Sequence, residues 1–127
     1  MIVIGYAFGL IQSGYYYGKL KGIDIREHGS GNAGTTNTLR VLGTKAGLIV
    51  FAGDLLKALI SIFGVKFLIM PNYPELGILL LFYTGTGCIL GHNFPFYLKF
   101  KGGKGIATTG GMMIALHWIY VPIGLLL

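Results

Sequence analysis

The amino-acid sequence predicts an all-α integral membrane protein, a multispanning bundle of about four transmembrane helices with glycine-rich cytoplasmic loops. First, the 127 residues are 54% hydrophobic and only 11% charged, whereas soluble domains are about 25% charged. Second, apolar stretches of about 20 residues recur, which is the length that crosses a 30 Å hydrocarbon core. Third, the basic residues lie mainly at the ends of these stretches, and this pattern does not indicate a nucleic-acid surface. The length corresponds to one domain, residues 1-127.

The first predicted transmembrane helix is Met1–Gly18, which carries no charge and is followed by Lys19 and Lys21. A signal peptide would have basic residues before its apolar core, and none is present here. The charge therefore predicts a helix with its N-terminus outside and its C-terminal end in the cytoplasm.

Three further transmembrane helices are predicted at Ala46–Met70, Leu76–Leu90 and Thr108–Leu127. Between the first two, Pro71 and Pro74 predict a short turn. Eight of the ten basic residues fall in or beside the other two connections: Lys19, Lys21, Arg26, Arg40, Lys45, Lys99, Lys101 and Lys104. The positive-inside rule places both connections on the cytoplasmic face, where they can share a site.

The second connection contains Gly102-Gly103-Lys104-Gly105. Glycine has no Cβ, so successive backbone N–H groups can turn toward one anion, and the lysine adds a positive charge. If a helix begins at Ile106, its N-terminus strengthens the same anion site. These features predict a phosphate-binding loop at a membrane surface. The alternative, a basic loop that only fixes topology, is favoured for Lys99 and Lys101.

The first connection contains a second glycine-rich segment, residues 29–40. Its Gly-x-Gly-x-x-Gly spacing fits a dinucleotide fingerprint, but no alternating strands and helices surround it. Ser30 offers a hydroxyl, Asn32 an amide, and Arg40 a bidentate donor for phosphate. We interpret these three residues as functional. For Thr36 and Asn37, the residue types by themselves favour a structural role in a connection with a capped helix end.

Several polar side chains interrupt the apolar stretches. Asp54 and Lys57 are three residues apart on one helix face. This spacing predicts a buried pair that supports the loops, which we favour over direct contact with a substrate. His92, near a cytoplasmic helix end, is either a general base or a hydrogen-bonded interfacial residue. His117 and the single Cys88 are predicted to be structural, so no metal site, cofactor or disulfide is expected.

At these two segments the sequence resembles the PlsY-type acyl-phosphate–glycerol-3-phosphate acyltransferases of bacterial phospholipid synthesis. The family's Ser-Gly-Asn-x-Gly-Ala-Thr-Asn-x-x-Arg motif is matched from Ser30 to Arg40, with Thr35 in place of Ala. Its Gly-His-x-x-Pro and Phe-Lys-Gly-Gly-Lys-Gly-Val-Ala-Thr motifs are matched from Gly91 to Thr108, with Ile106 in place of Val. The Asp-x-x-Lys spacing of the second helix is also similar to that of the family.

Two departures from the family pattern are visible. Residues 12–15, Gln-Ser-Gly-Tyr, differ from the expected Gly-Ser-Ile-Pro run. A third family motif, containing Arg-His and Asn, has no match before the sequence stops in the apolar run 121–127. We therefore expect this sequence to be an N-terminal portion of a longer acyltransferase.

The resemblance implies transfer of a fatty acyl group from acyl phosphate to the 1-hydroxyl of glycerol 3-phosphate, at the bacterial inner membrane. The implied partners are these two substrates and membrane lipid, with no cofactor and no nucleic acid. The proton acceptor is His92, a residue of the missing part, or the phosphate of the substrate. The expected catalytic residues are Ser30, His92 and Lys104. The expected substrate-binding residues are Gly31, Asn32, Gly34, Thr36, Asn37, Arg40, Lys101, Gly102, Gly103 and Gly105.

Two other functions stay open at this point. A transporter or channel subunit for a phosphorylated metabolite would also use glycine-rich loops and basic residues, but it predicts polar residues through several helices. Only Asp54 and Lys57 fit that pattern. A purely structural membrane subunit would leave both glycine-rich segments unexplained.

Overall fold

The computed structural model describes residues 1–117, and the regular elements in this range are all helical. The predicted all-α class is therefore confirmed. The six α-helices are α1 (Ile2–Gly9), α2 (Ser13–Leu20), α3 (Thr35–Leu42), α4 (Thr44–Leu68), α5 (Gly77–Asn93) and α6 (Ile106–Leu116). Short 3₁₀ turns occur at Ile25–Glu27, Met70–Asn72, Pro74–Leu76 and Phe96–Leu98.

Helices α4 and α5 agree with two of the predicted membrane helices. The stretches Thr44–Asn72 and Pro74–Leu98 are long and apolar enough to cross a bilayer, judged by length and composition. Helix α4 begins two residues before the predicted Ala46, and α5 continues three residues beyond Leu90. Helix α6 begins at Ile106, and residues 118–127 of the predicted fourth helix lie outside the described part of the chain.

The prediction of one helix over Met1–Gly18 is wrong. The chain breaks between α1 and α2, which have eight residues each and are therefore only about 12 Å long. The break leaves backbone carbonyl groups without helical donors, and distant residues satisfy them. Lys57 Nζ donates to the carbonyl oxygens of Gly9 (3.3 Å) and Ile11 (2.7 Å). The buried Gln12 Nε2 also donates to Gly9, at 3.3 Å.

Glycine pairs allow α1 to pack closely along the second half of α5. Gly5 and Gly9 are four residues apart in α1, as are Gly87 and Gly91 in α5. A Cβ at any of the four would overlap backbone atoms of the other helix. Small residues at this spacing are typical of close helix packing in membranes. The packing brings the C-terminal end of α1 beside His92.

The connections place both glycine-rich segments at one end of the bundle. Helix α4 begins there and α5 returns to it, because the short turns between them reverse the chain. Helix α6 leaves from the same end and packs on α4, where Gly111 lies against the Leu55 backbone and Ala58. A core cluster closes the bundle away from this end: Ile62, Val65, Leu81, Met112 and Ala115.

Candidate phosphate-binding site

A cavity of about 300 Å³ lies between the two glycine-rich segments. One side is formed by the first segment and the start of α3, and the other by the start of α6. Helices α4 and α5 contribute buried polar groups. The lining residues are Ser30, Asn32, Gly34, Thr35, Thr36, Asn37, Arg40, Phe51, Asp54, His92, Lys104, Gly105, Ile106 and Ala107.

Two helix N-termini meet at this cavity. The first backbone hydrogen bond of α3 runs from Thr38 N–H to the Gly34 carbonyl, and that of α6 from Thr109 N–H to the Gly105 carbonyl. The N–H groups of the first turns therefore have no helical acceptor, and they carry the positive end of each helix dipole. Gly105 precedes α6 with φ of 79°, a left-handed conformation that favours glycine. The arrangement suits an anion.

Two cationic side chains line the same cavity. Arg40 and Lys104 are both exposed, and within residues 1–117 neither forms an ion pair or a side-chain hydrogen bond. Their charges are therefore available to a ligand. Ser30 lies on the same side as Arg40, with an exposed side chain. The structure thus brings together Ser30, Arg40 and Lys104 at one cavity.

Asn37 organises the first segment from within. Its Nδ2 donates to the carbonyl oxygens of Ile25 (3.1 Å), His28 (2.9 Å) and Asn32 (2.9 Å). Its Oδ1 accepts from the Ser30 N–H at 2.9 Å. These contacts occupy both the NH₂ group and the oxygen of a buried amide. They therefore favour a structural role in the loop over direct ligand binding for this side chain.

Gly102 and Gly103 do not present their amides to the cavity. Gly102 N–H donates to the Asn93 carbonyl (3.1 Å) and Gly103 N–H to the His92 carbonyl (3.2 Å). The expectation that both N–H groups turn toward an anion therefore does not hold in this structure. Glycine is needed instead for close contact, because a Cβ would overlap the His92 carbonyl at position 102 and the His92 ring at position 103.

Hydrogen bonds of Arg26 that the sequence analysis missed connect the two polar loops. Arg26 Nη1 donates to the carbonyl oxygens of Leu98 (3.1 Å) and Lys101 (3.4 Å). Its Nη2 donates to Asp24 at 2.8 Å, and this hydrogen bond lowers the pKa of the Asp24 carboxyl. Sequence reasoning treated Arg26 only as a topology charge, and the two carbonyl groups that it binds across the loops lie more than 70 residues away in the chain.

The predicted pair of Asp54 and Lys57 is present and belongs to a larger network. Lys57 Nζ lies 3.2 Å from Asp54 Oδ1 and 2.7 Å from His92 Nδ1, and all three side chains are buried. From the opposite side, Gln12 Nε2 donates to the carbonyl oxygens of Gly91 (3.2 Å) and His92 (2.9 Å). Residue 12, where the sequence departs from the expected family run, thus helps to hold the end of α5.

The cavity contains most of the expected site residues but not all. Gly31, Lys101, Gly102 and Gly103 do not line it. The sequence analysis missed Thr35, Phe51, Ile106 and Ala107 as lining residues. The position of Thr35 inside the first motif could have identified it from sequence. Its hydroxyl is buried and has no hydrogen-bond partner in the described chain.

Comparison with known proteins gives a consistent result. The family model for glycerol-3-phosphate acyltransferase matches residues 1–127. Relatives of that name from Bacillus subtilis and Bacillus velezensis are 47% and 45% identical, each over 97% of this chain and 58% of the relative.

Among solved structures, the chain is similar to PlsY, described as an integral membrane glycerol 3-phosphate acyltransferase. The glycerol 3-phosphate form has a TM-score of 0.82 and 38% identity, over 98% of this chain and 60% of PlsY. The lysophosphatidic acid form has a TM-score of 0.79 and 37% identity, over 98% of this chain and 59% of PlsY. The chain thus spans about three-fifths of the length of these relatives.

Proposed function

Because this chain belongs to the glycerol-3-phosphate acyltransferase family, we propose that its cavity binds glycerol 3-phosphate and an acyl phosphate for acyl transfer. In this reaction the 1-hydroxyl oxygen of glycerol 3-phosphate attacks the acyl carbonyl carbon. The carbon–oxygen bond to phosphate breaks, the hydroxyl proton leaves, and lysophosphatidate and phosphate are produced. The observation that carries the proposal is that two distant glycine-rich segments meet around one cavity, where Arg40 and Lys104 form no ion pair within residues 1–117.

The geometry supports the binding of two anionic groups close together. Arg40, in the last turn of α3, and Lys104, just before α6, line the same cavity as the first residues of both helices. Charge-assisted hydrogen bonds from these groups would hold the phosphates, and free backbone N–H groups would stabilise negative charge that develops on the acyl oxygen. Holding both substrates in one orientation supplies a large part of the catalysis, since acyl phosphate is already activated.

We further propose that the chain lies in a membrane, crosses it several times and exposes the two segments to the cytoplasm. Helices α4 and α5 have the length and composition of membrane spans, and many of their large apolar side chains are exposed. Eight of the ten basic residues lie in or beside the two connections at the cavity end of the bundle, which the positive-inside rule associates with the cytoplasm. Phe51 and Ile106 border the cavity and are 44% and 75% exposed. They offer an apolar edge beside the phosphate-binding groups for a fatty acyl chain.

The test is an acyl-transfer assay on the full-length protein in membranes, with acyl phosphate and labelled glycerol 3-phosphate followed by lipid extraction. Labelled lysophosphatidate is the expected product. Arg40→Ala and Lys104→Ala should each lower kcat/KM by about tenfold to a hundredfold, because each removes a charged hydrogen bond worth about 1.5–3 kcal/mol. Lys99→Ala is the matched control, since Lys99 does not line the cavity and should matter little.

Three results would contradict the proposal. Absence of labelled lipid with the wild-type protein would refute the transfer. Uptake of labelled glycerol 3-phosphate into sealed vesicles without acylation would favour a transporter. Equal losses in Lys99→Ala and Lys104→Ala would show that the whole basic run, and not the cavity, is the site.

A further inference from the structure

The Lys57 ammonium group has three hydrogen-bonded neighbours, as many as it has protons. Nζ lies 2.7 Å from the Ile11 carbonyl oxygen, 3.3 Å from that of Gly9 and 2.7 Å from His92 Nδ1. Asp54 Oδ1, at 3.2 Å, is an ion-pair partner without a hydrogen bond in the described chain. A charged lysine has three donors and no acceptor. Two carbonyl oxygens and a carboxylate favour the charged form, because buried charges persist where they are paired.

We propose that Lys57 is a positioning residue that holds His92 in the neutral tautomer protonated at Nε2. His92 Nδ1 lies at hydrogen-bond distance from a group that can only donate, so Nδ1 must accept. In a neutral imidazole the proton then lies on the other nitrogen. The tautomer is set from α4, by a residue whose side chain does not line the cavity.

This assignment decides how His92 takes part in the proposed acyl transfer, on which the inference rests. Nδ1 faces Lys57, and the opposite edge of the ring lies next to Gly103. Gly103 does not line the cavity, but His92 does. Within the described chain no side-chain hydrogen bond occupies Nε2. His92 therefore offers a hydrogen-bond donor to an anionic substrate and does not accept the hydroxyl proton. The hydroxyl proton goes instead to the phosphate of the acyl phosphate, which leaves as hydrogen phosphate, or to a base outside the described residues.

Asp54 determines what happens when Lys57 is removed. Its Oδ1 lies 3.7 Å from His92 Nδ1. With the ammonium group gone, an unpaired carboxylate would attract a proton to Nδ1, since opposite charge or a hydrogen bond to it stabilises the protonated nitrogen. Lys57→Met is therefore expected to shift the proton of His92 from Nε2 toward Nδ1. Asp54→Asn combined with Lys57→Met removes both charges and should leave a mixture of the two tautomers.

Nitrogen NMR of the full-length protein in detergent micelles, labelled with ¹⁵N in its histidine rings, tests the inference. Protonated and unprotonated ring nitrogens have well-separated chemical shifts, so each tautomer is read directly. The His92 signals are assigned as those missing from a His92→Gln sample. Lys66→Met is the matched control, because Lys66 is on the same helix but lies over the rings of Phe63 and Phe67.

The expected result is a His92 protonated at Nε2 in the wild type and in Lys66→Met, and changed in Lys57→Met. If Lys57→Met is too unstable to purify, the variant that combines Asp54→Asn with Lys57→Met is measured instead, and a mixture of the two tautomers is expected. A wild-type His92 protonated at Nδ1 would overturn the inference, and so would an unchanged tautomer in both Lys57 variants. None of these spectra requires turnover, so an inactive wild type would count against the proposed function and not against the tautomer.

Activity gives a second measure. His92→Gln keeps an N–H donor but cannot accept a proton near neutral pH, whereas His92→Leu has no donor. The glutamine variant should retain at least about tenfold more activity than the leucine variant, as expected for one retained hydrogen bond to a charged group. Equal and severe losses in both variants would indicate that His92 is the proton acceptor.

Discussion

Gly103→Ala is expected to damage catalysis although it adds a single methyl group. The new Cβ would overlap His92 Nε2 and would lie 3.0 Å from Cε1 and 3.3 Å from Cδ2 of the same ring. The ring cannot yield easily, because Nδ1 is held at 2.7 Å by Lys57. The loop must therefore move away by roughly 1 Å, and Lys104 is the next residue along it.

The magnitude follows from the sensitivity of catalysis to position. A displacement of about 1 Å in a substrate-holding group costs on the order of a hundredfold in rate. We therefore expect kcat/KM to fall by about a hundredfold in Gly103→Ala, measured by lysophosphatidate formation in the full-length protein. Helix content should be unchanged, because residue 103 lies outside the helices.

Gly110→Ala is the matched control for this substitution. Its Cβ would meet only Leu55 Cδ1, at 3.9 Å, which is ordinary contact. Alanine within α6 should stabilise the helix slightly, by up to about 1 kcal/mol, and leave kcat/KM unchanged. If Gly103→Ala kept kcat/KM within about twofold of the wild type, the steric reasoning about the His92 ring would be refuted.

Two further predictions concern the stability of the loops, measured as the midpoint of thermal unfolding in detergent. Phe100→Gly should raise the midpoint, because Phe100 has φ of 61° and its side chain is 60% exposed. A bulky residue in the left-handed conformation is strained, and glycine removes this strain, which is worth on the order of 1 kcal/mol. Phe96, equally exposed at 60% but without a positive φ, is its control, and a rise in Phe96→Gly as well would contradict the argument. Asn37→Ala should lower the midpoint by an amount corresponding to about 2 kcal/mol or more, because buried carbonyl groups lose their donor. The exposed Asn72 is its control, and equal losses from the two asparagines would show that the buried amide does not organise the segment.

The sequence by itself determined the helical class of the protein and indicated the two segments that border the cavity. Low charge and long apolar stretches required helices, because helices satisfy their own backbone groups in an apolar environment. The motif residues around Ser30 and Lys104 indicated the family, and charge placement predicted that their two segments share one end of the bundle. Asp54 and Lys57 could be paired from spacing alone, since three residues separate neighbours on one helix face.

Only the tertiary structure decided where the first helix breaks and which groups a ligand can reach. No proline interrupts residues 1–18, and the carbonyl groups freed at Gly9 and Ile11 are satisfied by Lys57, more than 40 residues away in sequence. The amides of Gly102 and Gly103 are likewise taken by the end of α5. Local sequence fixes how many donors and acceptors a segment carries. Which partner each one finds depends on elements distant in the chain, because a buried backbone group must be paired by whatever donor the packed fold brings to it.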